Sequence, residues 1–532
     1  MKLKIIATQA FIVSAMALAL FGTAAGAAER TWVKAETAHF IVYSNNDVAS
    51  TRVYAGKLEA FRKVASDFYG RLAQSEVVND NRLVVYYFAD HAEFSTIDPK
   101  IAETSFEPSL SCKDGEAAFW TSKELQGETT QAYQFFSENE RVANDYDTRD
   151  MPAWLSSGLH SYLETADVKG DTVVLGAPTT DEFVYYVNEY MGQTQSLMTK
   201  NDRIPYAEII SGTYSNPKKT GPIRGQSWIV ADYMLTAPTN LGKLYSYIDL
   251  YNSGTPSLEA WQKGTGIDPE SFDAVTANYM SKGVPMVTYR FIPLTDDQIT
   301  VTALPQTGES VPLLSAAVQT CPDAGRAPEL IGDLEKAVAA APEDSYARRE
   351  LARAQVLIGD PAQALSYLTS EIAQHSDDYD AHYLMGRYWL SQAQSATGDA
   401  RGQAYVHARV ELASSYKLNP TSAPTLYYYA KAFADRPDYP SDNTLAAAEA
   451  AYDLKKDTDY EVYLAELYAR RGMIDDMKAT LPNTWPQGKS NYAVVTNQIY
   501  TAIDAGKPAA DIASLFSGYR AHSYLPQNPS KK

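Results

Sequence analysis

A repeat that begins near residue 326 constrains this 532-residue chain more than any other feature. Leu351-Ala352, Met385-Gly386, Tyr429-Ala430 and Leu464-Ala465 take the same place in four successive helical hairpins, at steps of 34, 44 and 35 residues. Each pair couples a larger side chain to Gly or Ala. The small member lets two helix backbones cross closely, while its neighbour fills the adjoining gap. Gly359 and Gly472 fall seven residues after Ala352 and Ala465, where a hairpin turns. A unit of this kind buries its apolar face only against the next unit, so residues 326–528 are expected to stack into an all-α solenoid. The longer step implies an insertion of about ten residues, placed by the Thr397-Gly398-Asp399 turn.

Thirty-four residues is the tetratricopeptide period, and this region resembles tetratricopeptide repeats. The resemblance implies a concave groove that holds a protein or peptide partner. Tyr383, Tyr388, Trp389, Tyr427 and Tyr428 are the candidate groove residues. The competing reading is that such rings pack between helices.

The other end of the chain reads as a targeting segment. Lys2 and Lys4 precede an apolar run from Ile5 to Phe21, and Ala25-Gly26-Ala27 offers a small-residue cleavage site, so residues 1–27 are expected to be a signal peptide. No cysteine follows the run, which argues against a lipoprotein, and no later stretch is long and apolar enough to span a bilayer. The expected location is periplasmic or secreted. Loss of the two lysines takes the formal charge from -19 to -21. That acidity disfavours nucleic acid and anionic membrane surfaces as partners. Cys112 and Cys321 could form one bridge in an oxidising compartment or remain two buried thiols.

Between these ends the hydrophobic period predicts a small sheet backed by helices. His39 to Ser44 alternates as a strand, residues 48–74 carry apolar positions at helical spacing, and Leu83–Phe88, Ala117–Thr121 and Thr172–Leu175 read as further strands. Helical pattern then runs to about residue 282. Residues 285–325 change character, being strand-like and then rich in Ser, Pro and Gly, and 291–325 are expected to be a linker.

Residues 135–166, FFSENERVANDYDTRDMPAWLSSGLHSYLETA, carry the second resemblance. They are similar to the two-helix core of a gluzincin-type zinc metallopeptidase, in which a His-Glu-x-x-His helix is followed by a second helix, opened by Pro-x-Trp, that supplies a glutamate ligand. WVKAETAHFIVYS at 32–44, RLVVYYFADHAEF at 82–94 and GQSWIVADYML at 225–235 extend the likeness to residues 28–290, which resemble the peptidase MA-like family. The family's metal-binding positions hold Ser137, Arg141 and Ser157 here, and Glu138 takes the general-base position. Ser137 is a poor zinc ligand, Ser157 lacks the carboxylate, and Arg141 brings a permanent cation to the place of a dication. The resemblance thus implies a metallopeptidase-like shape without catalysis and without a cofactor.

One enzymatic alternative stays open, a zinc-dependent hydrolase of the cell envelope using Glu138, His160 and Glu164, the last two sharing one helix face. His382 and His407 lie among repeat helices without a ligand pattern, and Ser227 lacks a Gly-x-Ser-x-Gly context. Phosphate-loop, dinucleotide and calcium-loop motifs are absent from the sequence. The expected architecture is an α+β N-terminal domain, a small sheet plus helices of metallopeptidase-like shape, followed by the solenoid.

Overall fold

The computed structural model describes residues 31–72, 82–97, 109–110, 118–122, 151–176, 203–215, 220–305, 310–319, 322, 325–481 and 490–519. Residues 1–27, expected to be a signal peptide, and Ser137, Glu138, Arg141, Cys112 and Cys321 lie outside the described residues.

Strand β1 (Val33–Glu36) and β2 (Phe40–Ser44) pair antiparallel, helix α1 (Val48–Leu72) leads to β3 (Leu83–Phe88), and β3 runs parallel to β2. The short helix α2 (Phe94–Ile97), β4 (Ser109–Leu110) and β5 (Ala118–Ser122) follow. Period two divides β3 between two cores. Leu83, Val85 and Tyr87 meet α1 on one face, whereas Val84, Tyr86 and Phe88 enter a second cluster on the other. All six residues are buried, as a central strand covered on both sides requires.

Helices α3 (Ala153–Leu163), α4 (Tyr206–Ser211), α5 (Thr220–Thr236), α6 (Pro238–Asn252), α7 (Ser257–Thr265) and α8 (Phe272–Ser281) build the rest of the main core. Trp154 of α3 packs edge-on against Trp261 of α7 at 5.5 Å, and its indole N–H donates to the Tyr247 hydroxyl at 3.1 Å. A buried indole needs that acceptor, since an unpaired N–H costs about 1–3 kcal/mol. The hairpin β6 (Asp167–Lys169) and β7 (Thr172–Leu175) turns at Gly170, whose φ of 58° suits glycine, and β8 (Val287–Arg290) pairs with β7.

The segment expected as a linker does more than connect. Within 291–325, β9 (Thr300–Ala303) pairs antiparallel with β1, so the large sheet runs β4-β5-β3-β2-β1-β9. Helix α9 (Val311–Gln319), buried from Val311 to Val318, lies against the second face of that sheet through Leu313 and Ala316. Composition could not show this, because four residues that finish a sheet look like any exposed extended segment until their partner strand is known.

From residue 327 the chain is helical: α10 (Ala327–Ala340), α11 (Ser345–Ile358), α12 (Leu365–Gln374), α13 (Tyr379–Ser395), α14 (Gly398–Leu418), α15 (Ala423–Lys431), α16 (Asp442–Leu454), α17 (Thr458–Arg470), α18 (Ile474–Thr480), α19 (Asn491–Asp504) and α20 (Ala509–Leu515). The first helix of each hairpin opens on a capping side chain that accepts backbone N–H bonds. These caps are Asp344, Asp378, Ser422, Asp457 and Ser490, standing 34, 44, 35 and 33 positions apart. The additional residues of the long unit lengthen α13 and α14, of 17 and 21 residues, on both sides of the Thr397-Gly398 turn. Gly386 lies where these two helices meet, and a Cβ there would fall 2.5 Å from Leu412 Cγ. Ala352, Ala430 and Ala465 are buried at the corresponding positions.

The sheet and the repeats share an interface. Tyr346 of α11 stacks on Tyr43 of β2 at 6.0 Å, and Tyr43 stacks on Tyr86 at 5.5 Å. The Ser315 hydroxyl donates to buried Glu350 at 2.8 Å, Arg353 donates to Glu350 at 3.2 Å, and Arg353 also pairs with Asp380 at 2.7 Å. A buried carboxylate is tolerable here because a cation and a hydroxyl satisfy it.

Candidate functional site

Four places are candidates for function: helix α3, which holds the Pro152-to-Glu164 part of the segment expected to resemble a metallopeptidase core, the repeat aromatics, a buried acidic cluster, and a cleft along α1.

Pro152 precedes α3, where its fixed φ suits a helix start, and Trp154 is fully buried. Gly158 lies at the crossing of α3 and α5. A Cβ there would stand 2.4 Å from the Ser227 carbonyl oxygen and 2.8 Å from Ala231 Cβ, so the two helices approach at glycine distance. This gives GQSWIVADYML a packing role: Gln226 spans to both the N–H and the carbonyl of Ile204 at 2.8 Å, and Trp228 to Asp232 are buried. Ser157 is half-buried on α3.

His160 and Glu164 share a face, with Nε2 and Oε1 3.1 Å apart. The cation that Glu164 meets is Arg224 of α5. Its guanidinium donates to both carboxylate oxygens at 2.7 and 2.8 Å and, through Nε, to Ser161 Oγ at 3.2 Å. A metal bound by His160 and Glu164 would have to displace that guanidinium from a nearly buried carboxylate. Among the described residues no group of three or more His, Cys, Asp or Glu converges to hold a metal ion. Sequence reasoning missed Arg224, because nothing in the spacing ties residue 224 to residue 164.

The repeat aromatics are committed to the interior. Tyr427, Tyr383, Tyr388 and Tyr428 are 1, 5, 7 and 8 % exposed, and Trp389 is half-buried. Tyr427 stacks on Tyr460 at 4.4 Å, Arg387 lies 3.7 Å over the Tyr428 ring, and Arg387 donates to the Tyr383 hydroxyl at 2.8 Å. The first two of these contacts join successive hairpins and the third holds Arg387 to its own helix, which is the packing role weighed against the groove. His382 is held by Glu411 at 2.7 Å, and His407 stacks on Trp389 at 4.4 Å. Among the described residues, most of the exposed large apolar side chains of the repeats lie elsewhere, on α14, where Val406, Val410, Tyr416 and Leu418 are 41 to 57 % exposed, with Val494 of α19 at 43 %.

Asp232 of α5 is fully buried. Tyr279 donates to its Oδ1, while its Oδ2 faces Gly176 without a hydrogen-bond partner. Burial pushes its carboxyl up to about 8, against the opposing Tyr279 bond. Burial likewise raises the neighbouring hydroxyls of Tyr162 and Tyr279.

A cleft of about 740 Å³ runs along α1, walled by α1, by Leu235, Leu241 and Tyr245 about the α5–α6 junction, and by Tyr289 to Leu294 at the end of β8 and just beyond it. At its head His39 Nδ1 lies 2.7 Å from Glu59, which also accepts the His39 backbone N–H at 2.9 Å. Burial works to raise Glu59, but the hydrogen bonds from His39 and Thr37 outweigh it and hold the carboxyl below its usual range.

The sequence matches no protein-family model, and no curated protein matches it. Among solved structures it is similar to a thermophilic TPR protein of Thermus thermophilus, at 21% identity over 33% of this chain and 90% of that one, with a TM-score of 0.29. The helical-repeat assignment therefore rests on this chain's own capped hairpins and their continuous core.

Proposed function

We propose that this protein is an exported, non-catalytic scaffold whose repeats recruit a protein partner, with an N-terminal part of metallopeptidase-like shape that has lost its chemistry. The observation that carries the recruiting role is the apolar stripe on α14. Val406, Val410 and Leu418 recur at helical spacing, with Val406 and Val410 51 and 57 % exposed, on the hairpin lengthened by the inserted residues. Exposed apolar surface on one helix face is what a partner helix or strand covers. For the N-terminal part, the support is the engagement of Glu164 by Arg224 together with the residue types at the motif positions.

Crosslinked pull-downs compare the mature full-length chain with its Val406→Asp/Val410→Asp variant. A protein enriched at least about tenfold by the parent over the variant is the expected result. Equal recovery by both would remove α14 from the interface. Export is checked by N-terminal sequencing of the native protein, which should begin just after Ala27.

A further inference from the structure

The cleft along α1 has a composition that the scaffold role does not use. Among its lining residues on α1, Gly56, Ala60, Val64, Phe68 and Leu72 recur at every fourth position and form one apolar face along the helix. At about 1.5 Å per residue that face is about 24 Å long, a length that an extended oleyl chain matches. The floor is apolar, with Val64, Phe68, Leu235, Tyr245 and Phe291 among its residues. The volume falls within the range of small-molecule sites.

The charges differ from those of the molecule as a whole. Arg62, Lys63, Arg71 and Arg290 outnumber Glu59 and Asp67 at this cleft, on a chain whose net charge is -19. Lys63 is paired with Asp67 at 2.5 Å and Arg290 with Asp171 at 3.1 Å. Arg71, exposed in the last turn of α1, has no carboxylate within ion-pair distance among the described residues, and its charge acts on the Tyr289 hydroxyl across the cleft. A long apolar floor with an unneutralised cation at one end suits a ligand with one anionic head and one apolar tail.

We propose that this cleft binds a single long-chain fatty acid, its tail along the α1 face and its carboxylate at Arg71. An extended peptide fits less well. It carries an N–H and a carbonyl at nearly every residue, and a helical wall whose own backbone groups are already bonded leaves them unmatched. An acyl chain makes no such demand.

The test uses the full mature chain and cis-parinaric acid, a fluorescent fatty acid. One-to-one saturable binding is expected, with displacement by oleate and at least about tenfold weaker displacement by octanoate, which has the same head and a short tail. Arg71→Ala should weaken oleate about tenfold and leave oleyl alcohol, which lacks the charge, within about twofold. Gly56→Phe places a ring in the cleft at a position where a Cβ meets only Ile299 Cδ1, at 3.9 Å. It should abolish binding while the urea midpoint holds or rises, since glycine is a poor helix residue. The proposal fails if parinarate does not saturate, if both variants bind like the parent, or if an acidic peptide displaces the probe and oleate does not.

Discussion

Asp232 shows how one residue can set a pH dependence for the whole fold. Its carboxyl sits at about 8 in the folded chain because burial disfavours the anion, and near 3.8 when solvated. The folded state therefore holds the proton more tightly. The stability linked to this group is fully present below pH ~4 and is lost as the pH rises through ~8. Urea titrations at pH 5 and pH 9 should show the parent less stable at the higher pH by an amount on the order of a few kcal/mol. Asp232→Asn, which keeps the shape and cannot ionise, should flatten that difference. An unchanged pH slope in the variant would assign the dependence to other groups. None of this is legible in the sequence, where Asp232 is one acid within GQSWIVADYML; its burial arises only when Tyr279 and Gly176 close around it.

At the level of helices, glycines separate into two kinds that composition does not distinguish. Gly158 is pressed against the α5 backbone, whereas Gly332 in α10 has open space where a Cβ would be. Gly158→Ala should cost about 1–3 kcal/mol through the α3–α5 clash, more than the gain in helix propensity. Gly332→Ala should instead stabilise by up to about 1 kcal/mol. Paired urea melts of the two variants check both signs, and two stabilised proteins would mean the α3–α5 crossing relaxes easily. Regular elements are the most readable part of the chain. The strand at 40–44, the helix from 48 and the strand at 83–88 lie where period and punctuation place them, and the repeat steps reappear in the caps at Asp344, Asp378, Ser422 and Asp457. Local signals suffice there because a cap or a period is written within a few residues. Pairings between distant residues leave no such trace, which is why β9 reads as linker, Arg224 escapes notice beside Glu164, and Tyr427 reads as a groove residue although it is stacked on Tyr460 in the interior.

Across the molecule, the N-terminal sheet and the repeats stabilise each other. The second face of the sheet is covered by α9 and, through Tyr346, by α11. Ending the chain after residue 325 removes Tyr346 and the Glu350 that accepts from Ser315. The fragment 28–325 should therefore unfold at a lower urea concentration than the same region in the full chain and should self-associate through the uncovered tyrosines. A monodisperse fragment with the parental urea midpoint, followed by tryptophan fluorescence, would show that the sheet needs no help from the repeats. The pairing of β1 with β9 has a consequence for synthesis. Val33 leaves the ribosome well ahead of its outer neighbour Ala303, which emerges only after the whole N-terminal half of the chain has been made. Until then the first strand presents a row of unsatisfied amides and carbonyls, a template for any passing strand. A nascent chain of this kind depends on being shielded while it waits, and the last strand to arrive is the one that ends its vulnerability.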